Sequence, residues 1–589
     1  MLPFVAVDFE TEFDESLSVK IQGNHNYGRL THAFNVGLYS QDPEIQYSGP
    51  LEEAPWYQLH GLNWVAHNVS FDSAIFYAAR DFHRQVPSYI EPRSWDCTAD
   101  LSVAMLLGRS LKAALKSAFG IEYSKSIRDK MKGKYWPDSF TPDQQQEIRN
   151  YCFEDTRWCW RLWRAYSDQW PLPEREFARI IRTRCAQGVT VDQAALENGI
   201  ARMQELRDQA EDRIPWATGG EKCVVLSHKA VREYCVAQHI PPPESLAEDS
   251  IACGLWEAKY GERYPIVGAL RDYRKANIYL RKLEAMRHRL MANGRMTIEL
   301  KYNGAVGTGR LSGAGGWNIQ NLPRTEYQGV DVRKLLIAAP GKKFVIADFC
   351  QIEPVVSAWL TNNHKALEAL KIGFNVYEAE AKSSGVWDGP PGTFKKADPA
   401  GYQLMKAQFL GIGYGMGPDR LKTAAKVQLK LELPRDHCQE LIRAWHRRNS
   451  GVKAMWRELD TGLRQSLARG ENFSVELPSG RFLQYFDLQL EGSRISARPS
   501  KDGIRKFFWG GALFENVIQS IARDVLRDAV LRLEAAGIPV LFTAHDEVVC
   551  EVSESFITGR IEELLIVPPD WAFDLPLAAE VIETHAYTK

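Results

Sequence analysis

Phe344-Val345-Ile346-Ala347-Asp348-Phe349-Cys350-Gln351-Ile352-Glu353-Pro354 is the stretch from which the rest of the chain is best read. An apolar run that ends in an acid is the pattern of a buried strand delivering a carboxylate at its edge. Proline directly after Glu353 suits the start of a helix. Far downstream, Phe542-Thr543-Ala544-His545-Asp546-Glu547-Val548-Val549 places a polar step between two apolar runs, which predicts a hairpin over Val540 to Val552. Its turn lacks the glycine that hairpins favour. If the two strands are neighbours, Asp348 and Asp546 meet at one sheet edge. Such a pair could hold two Mg²⁺ ions, an arrangement suited to phosphoryl transfer from a nucleoside triphosphate. The alternative is two unrelated acidic turns.

Between these runs lies a largely helical stretch, about 360 to 530. Asp398-Pro399 offers an N-cap and a first-turn proline. In the helix expected to follow, Lys406, Leu410 and Tyr414 are spaced by four and share a face, where a lysine could neutralise triphosphate charge. Gly411, Gly413 and Gly415 each weaken that helix by about 1 kcal/mol relative to alanine. The cost is understandable if a base or strand must approach the backbone.

A second set of acids occupies the first 170 residues. Asp8 and Glu10 end the apolar run Phe4 to Phe9, Asn68 and Asp72 follow a second candidate strand, and Tyr151 and Asp155 share a face of the helix read over Glu147 to Trp163. Each piece alone is an ordinary cap or solvated pair. Together they suggest two-metal phosphodiester hydrolysis, with four carboxylates around two ions about 4 Å apart and the Tyr151 hydroxyl orienting the attacking water.

Composition restricts the alternatives. The 589 residues allow several domains. With 45% hydrophobic and 25% charged residues the chain is globular rather than disordered or fibrous. No apolar run is long enough for a membrane span, and no secretory signal is read at the start. The ten scattered cysteines contain no CxxC pair, which argues against a zinc site and a disulfide framework. A net charge of −1 does not advertise a polyanion partner, although patches rather than averages bind nucleic acid. One such patch is 271–290, with seven Lys/Arg against two acids. Arg271, Arg274, Lys275, Arg281, Lys282 and Arg289 fall near one helical stripe. Residues 301 to 325, rich in Gly and Asn, read as loops.

Asp348-x-x-x-x-Glu353, Lys406-x-x-x-Leu410-Gly411-x-x-Tyr414-Gly415 and His545-Asp546-Glu547 resemble motifs A, B and C of family A DNA polymerases. Thr308-Gly309-Arg310-Leu311-Ser312, Asn318-Ile319-Gln320-Asn321-Leu322-Pro323, Leu477-Pro478-Ser479-Gly480-Arg481 and Glu515-Asn516-x-x-Gln519 look familial too. The set Asp8, Glu10, Asp72, Tyr151 and Asp155 resembles the family's proofreading 3′–5′ exonuclease domain. The likeness spans nearly the whole chain, in the style of the large fragment of DNA polymerase I and of compact bacteriophage replicases, with no 5′ nuclease domain expected ahead of residue 8.

The resemblance implies an α/β and α+β multidomain fold, an RNase H-like exonuclease domain followed by a right-hand polymerase. Its expected divisions are 1–170 exonuclease, 171–192 connector into the palm, 193–300 thumb, 301–357 palm, 358–505 fingers and 506–589 palm. It implies Asp348 and Asp546 as metal ligands with Glu547 as an accessory acid, and Asp8, Glu10, Asp72 and Asp155 as ligands of the second site, with Tyr151 positioning water. Two Mg²⁺ per site, replaceable by Mn²⁺, are the implied cofactors. Glu353 is implied as the gate against a ribose 2′-hydroxyl, and Lys406, Leu410 and Tyr414 as nucleotide contacts. Arg310, Asn318, Gln320, Gln519 and His545 are implied DNA contacts. The basic stripe Arg271, Arg274, Lys275, Arg281 and Lys282 falls where the thumb grips phosphates. The implied partners are primer–template DNA and dNTPs, for a monomer acting in the cytoplasm, that of the host if phage-encoded. Two departures stand out: Leu410 replaces the family's Phe or Tyr, and Tyr402 stands where a basic residue is usual, with Lys395 and Lys396 as candidate substitutes. The competing readings are a nuclease on a retired polymerase scaffold and a non-catalytic DNA binder. Both complete acid clusters argue against them.

Overall fold

Two sheets, each carrying acids at or near the end of an interior strand, organise the chain. The computed structural model describes residues 4–124, 126–217, 225–247, 250–428 and 431–588. The first sheet has the strand order Tyr47–Gly49, Ala33–Tyr39, Phe4–Thr11, Asn63–Ala66, Ser94–Cys97. Phe4–Thr11 runs antiparallel to Ala33–Tyr39 and parallel to Asn63–Ala66. Side chains alternate along a strand, and this alternation sorts the residues. Val5, Val7 and Phe9 join one apolar core with Trp64, Ile75 and Phe76, whereas Ala6 joins another with Cys159 and Trp163. Asp8 and Glu10 therefore share the face of Ala6. That face is covered by the 25-residue helix Pro142–Tyr166, which begins with a Thr141–Gln144 capping box and Pro142 at its first position.

The second sheet is antiparallel, in the order Val540–Ala544, Glu547–Ser553, Lys342–Phe349, Ala579–Thr584. The Val540–Val552 hairpin thus forms as expected. Its turn holds His545 at φ 61°, so the turn is reached with a left-handed histidine in place of glycine. The buried helix Gly510–Ala535 packs against the short helix Ile352–Leu360 and the long helix Ser450–Arg469. One continuous apolar core runs from Trp163 through Phe177, Tyr302 and Phe344 to Phe409 and Leu513.

Ionic contacts inside the chain fasten the two halves. Glu174, on the helix Leu172–Gln187, is buried between Arg523 (2.5 Å and 2.8 Å) and Arg527 (2.7 Å) and accepts from the Tyr302 hydroxyl at 2.5 Å. Burial alone would raise its carboxyl, but the guanidiniums hold it well below the carboxylate range. Arg289, 2% exposed, donates to the carbonyls of Lys20 (2.9 Å), Ile21 (3.0 Å), Ala285 (2.9 Å) and Gly315. It therefore ties the Lys20–Ile21 segment to two later segments.

Three expectations need correction. Residues 301–325 are not simply loop: Leu300–Ala305 and Arg310–Gly313 pair as a hairpin, with a register shift between Lys301 and Ala305. Its Asn and Gly residues supply the irregularity, with Asn303 and Gly309 at positive φ. The helical stretch 360–530 contains the four-stranded antiparallel sheet Phe473–Glu476, Phe482–Glu491, Arg494–Arg498, Lys506–Phe508. The helix carrying Lys406, Pro399–Ala407, ends before Leu410 and passes into a wider turn over Gln408–Ile412. Asp398 does cap it, accepting from the Gly401 amide. Among the described residues every cysteine is free, and no helix is long and apolar enough to cross a membrane.

Candidate active sites

The second sheet brings Asp348, Asp546 and Glu547 together. Asp348 stands opposite Glu547 in the strand register, and the Phe349 amide donates to the Asp546 carbonyl at 3.4 Å. Burial and the neighbouring Asp348 push the Asp546 carboxyl up to about 6. Glu547 is buried and accepts from the Tyr587 hydroxyl at 2.8 Å. Tyr587, near the end of the chain, was not singled out in the sequence, and nothing local marks it.

Gln351, at φ 51°, stands directly before the helix Ile352–Leu360 without a side-chain capping bond, and the helix sets Glu353 in its first turn. Glu353 accepts from the Tyr414 hydroxyl at 2.9 Å and pairs with Arg310. Burial and Glu353 raise the Tyr414 phenol well above its ordinary range. Lys406 is exposed and Leu410 is 39% exposed. Because the α-helix stops at Ala407, the three residues do not form one helical stripe; Tyr414 turns in to Glu353. Gln351 also donates to the Tyr402 hydroxyl at 3.1 Å and accepts from the Val376 amide at 2.9 Å. The position that departs from the family pattern is thus engaged by the segment bearing Asp348.

Arg310, Gln320, His545 and Asp546 line one cleft. A His545 ring nitrogen lies 3.2 Å from the Gln320 carbonyl, and burial lowers its imidazole below its usual range. Asn318 accepts from the Gln320 amide at 2.9 Å, so its side chain shapes this turn. Gln519 donates to Glu515 at 3.3 Å.

The first cluster also assembles. One oxygen each from Asp8 and Glu10 and the Cys152 sulfur lie within 4.8 Å of one another. Asp72 is 1% exposed, in the first turn of Val69–Asp81. Burial, and then Asp8, raise its carboxyl far above the usual range, and neither of its oxygens makes a hydrogen bond of good geometry. Asp155 accepts from the Tyr123 hydroxyl, and the Tyr123 ring stacks on Tyr151 at 6.4 Å between centroids. Burial, with Asp155, Glu10 and Asp8, raises the Tyr151 phenol strongly. Tyr123 lies in an irregular segment between helices, and no sequence pattern distinguishes it. Both clusters suit divalent cations: buried carboxylates that raise one another's affinity for protons are relieved by positive charge.

The basic stripe divides. Arg271 lies 3.5 Å from Asp272, Lys275 lies 5.8 Å from the centre of the Tyr327 ring, Arg281 is exposed, and Lys282 donates to the Asn321 carbonyl at 2.9 Å. Arg274 is a correction. It is 5% exposed and turned inward onto Glu257 (2.6 Å), the Leu246 carbonyl (3.1 Å) and Cys253, because the helix Ile251–Tyr260 covers its face. Arg289 is inward too, as described above.

Taken together, the two sheets and their helical projections form the mixed α/β fold of the right-hand polymerases. The sequence profile of DNA polymerase family A matches residues 194–582, and the chain belongs to that family. It is 28% identical over 404 residues to the DNA polymerase of Bacillus phage SP02, covering 59% of this chain and 60% of that protein. To the thermostable DNA polymerase I of Thermus thermophilus it is 26% identical over 352 residues, 57% of this chain and 38% of that protein. The match to DNA polymerase I of Rhizobium leguminosarum is 28% over 270 residues, 44% of this chain and 24% of that protein. The chain thus matches less than two thirds of the length of each of these relatives. Among solved structures, the POL domain of Pol1 from M. smegmatis, in complex with DNA primer-template and dNTP, superposes with a TM-score of 0.67 at 17% identity, covering 99% of this chain and 95% of that one. That likeness is one of fold.

Proposed function

We propose that the chain is a template-directed DNA polymerase with a 3′–5′ proofreading exonuclease, acting on primer–template DNA and dNTPs, and that it serves phage genome replication in the host cytoplasm. The observation that carries the reading is the meeting of Asp348 and Asp546 at one sheet edge, beside the Arg310–Glu353–Tyr414 group. Asp348 and Asp546 would hold two Mg²⁺, with Glu547 held by Tyr587 as accessory acid. Bound there, the ions would supply positive charge for the developing charge of in-line phosphoryl transfer. The primer 3′-hydroxyl attacks the α-phosphate and pyrophosphate leaves. Lys406 binds the triphosphate. Glu353, fixed from two sides, closes the space beside the sugar against a 2′-hydroxyl, and Tyr414 bounds the nascent pair. Arg310 and Gln519 reach minor-groove acceptors, which every correct pair presents alike. Asp8, Glu10, Asp72 and Asp155 would hold the ions of the hydrolytic site, where Tyr151 orients water.

The divisions proposed are exonuclease 1–170, connector 171–192, thumb 193–300, palm 301–357 and 506–589, and fingers 358–505. The test is extension and shortening of a 5′-labelled primer with Mg²⁺, with and without dNTPs, beside Asp546→Ala and Asp8→Ala. The expected result is extension lost only in the first variant and shortening lost only in the second. Shortening without extension by the unmodified chain would overturn the polymerase reading.

A further inference from the structure

The backbone that leads into Arg310 is held by two arginines from distant parts of the chain. In the hairpin of Leu300–Ala305 and Arg310–Gly313, Ala305 pairs with Arg310, and its carbonyl accepts from the Thr308 amide (3.0 Å) and the Gly309 amide (2.8 Å). The carbonyls of Thr308 and Gly309 each meet a guanidinium. Arg481 donates to the first at 3.1 Å and Arg523 to the second at 3.0 Å. Arg523 lies in the helix Gly510–Ala535, and Arg481 directly precedes the strand Phe482–Glu491. Gly309, at φ 78°, sits close against them. A Cβ there would run into the Arg481 guanidinium.

The two arginines are fixed in turn. Arg481 donates to Asp524 at 2.9 Å and to the Ser520 carbonyl at 3.3 Å. Arg523 donates to Asp524 at 3.1 Å, to the Asn303 side chain at 3.0 Å, and to Glu174 as described above. Glu174, Arg523, Asp524 and Arg481 thus alternate in sign, so each charge has an opposite neighbour. Both Arg523 and Asp524 are buried. Apolar side chains of similar volume often pack as stably as such a string, so stability alone does not call for it. What the guanidiniums add is direction, because a planar fork fixes where an acceptor must lie.

The far end of Arg310 pairs with Glu353, and Arg523 lines the same cleft as Arg310 and Asp546. We propose that Arg481 and Arg523 are positioning residues for Arg310. They hold the backbone before it so that its guanidinium meets the minor-groove acceptor of a correctly paired primer end. The proposal rests on the polymerase reading, in which Arg310 contacts DNA. Correct pairs present that acceptor alike, whereas a mispair displaces it and gains nothing from a fixed donor. Two residues that never touch the substrate thereby become determinants of mismatch discrimination.

The test is single-nucleotide extension from matched and mispaired primer ends, each closed by a phosphorothioate linkage that resists shortening. One variant is Arg481→Lys, which keeps a charge opposite Asp524 but has no fork to span Asp524 and the Thr308 carbonyl. The other is Gly309→Ala, which disturbs the same turn from its own side. Each is also made together with Arg310→Ala, and thermal melting reports folding. The kcat/KM for the matched end falls about 10-fold, within the roughly 100-fold that a displacement of about 1 Å can cost. The value for the mispaired end does not change. With Arg310→Ala in place, neither variant causes a further loss, since residues acting through one shared partner do not add. Equal losses at both ends overturn the proposal. A full additional loss in the Arg310→Ala background also overturns it and leaves the arginines a structural role alone. Matched extension unchanged in a folded Arg481→Lys overturns it as well. If Arg481→Lys does not fold, Gly309→Ala decides by the same criteria. Failure of the polymerase reading itself looks different: the parent then extends neither primer.

Discussion

Arg274 and Lys275 are adjacent on one helix, and the structure gives them opposite fates. Arg274→Met removes a guanidinium whose side chain is 6% exposed, paired at 2.6 Å with Glu257, itself 15% exposed. The substitution leaves a largely buried carboxylate without its partner, which costs about 3 kcal/mol. It also removes donors to the Leu246 carbonyl and Cys253. Replacing both partners, Arg274→Met with Glu257→Met, recovers most of the loss, because an apolar pair of similar volume is often neutral or better. Lys275→Ala changes stability by less than about 0.5 kcal/mol but removes one phosphate contact from the proposed grip. Its duplex affinity then depends less steeply on salt, by about 0.9 in the log–log slope. Chemical denaturation and a salt series of duplex binding read the two effects separately. An Arg274 variant of unchanged stability whose salt slope falls as for Lys275→Ala would refute the inward orientation.

Three further outcomes follow from the sites. The Asp546 carboxyl is raised from its ordinary 3.8 to about 6, so the metal-free folded chain loses stability as pH rises through that window, up to about 3 kcal/mol at 1.36 kcal/mol per unit. Asp546→Asn therefore unfolds like the parent near pH 4 and at higher denaturant at pH 8, and a gap that ignores pH contradicts this. Tyr123→Phe takes the hydroxyl from Asp155 and slows primer shortening about 10-fold with extension unchanged, measured on one labelled substrate. Glu353→Ala frees Tyr414 and Arg310 and lowers the dNTP-over-rNTP ratio of kcat/KM about 10-fold or more, about 1.4 kcal/mol.

The acids were legible because each sits where a short-range pattern changes. Asp348 and Asp546 close apolar runs, and strand register does the rest. Asp8 and Glu10 share a face by simple alternation. Arg274 and Arg289 were misplaced because a helical stripe gives direction around one axis and not the identity of what packs there. The helix Ile251–Tyr260, which captures Arg274, folds back from the element just before it, and the Lys20–Ile21 backbone, which captures Arg289, is remote in sequence. Gly411, within the wide turn at Gln408–Ile412, weakens the α-helix there, but it does not specify a wider turn, since one extra residue per turn needs no special side chain. Tyr123 and Tyr587 reach their carboxylates only through tertiary folding.

Arg289 has a consequence for how a strand end would choose between the two acid clusters. Its bonds to Lys20, Ile21 and Gly315 fasten the segment after the first acids to two later segments and so oppose a change in the gap between the clusters. On the proposed reading, DNA must then make the journey, and a primer end can travel only by fraying from its template. A mispaired end frays more readily than a matched one. On that reading, a frame held in this way would turn base-pair strength itself into the proofreading signal, with no need for the protein to inspect the error.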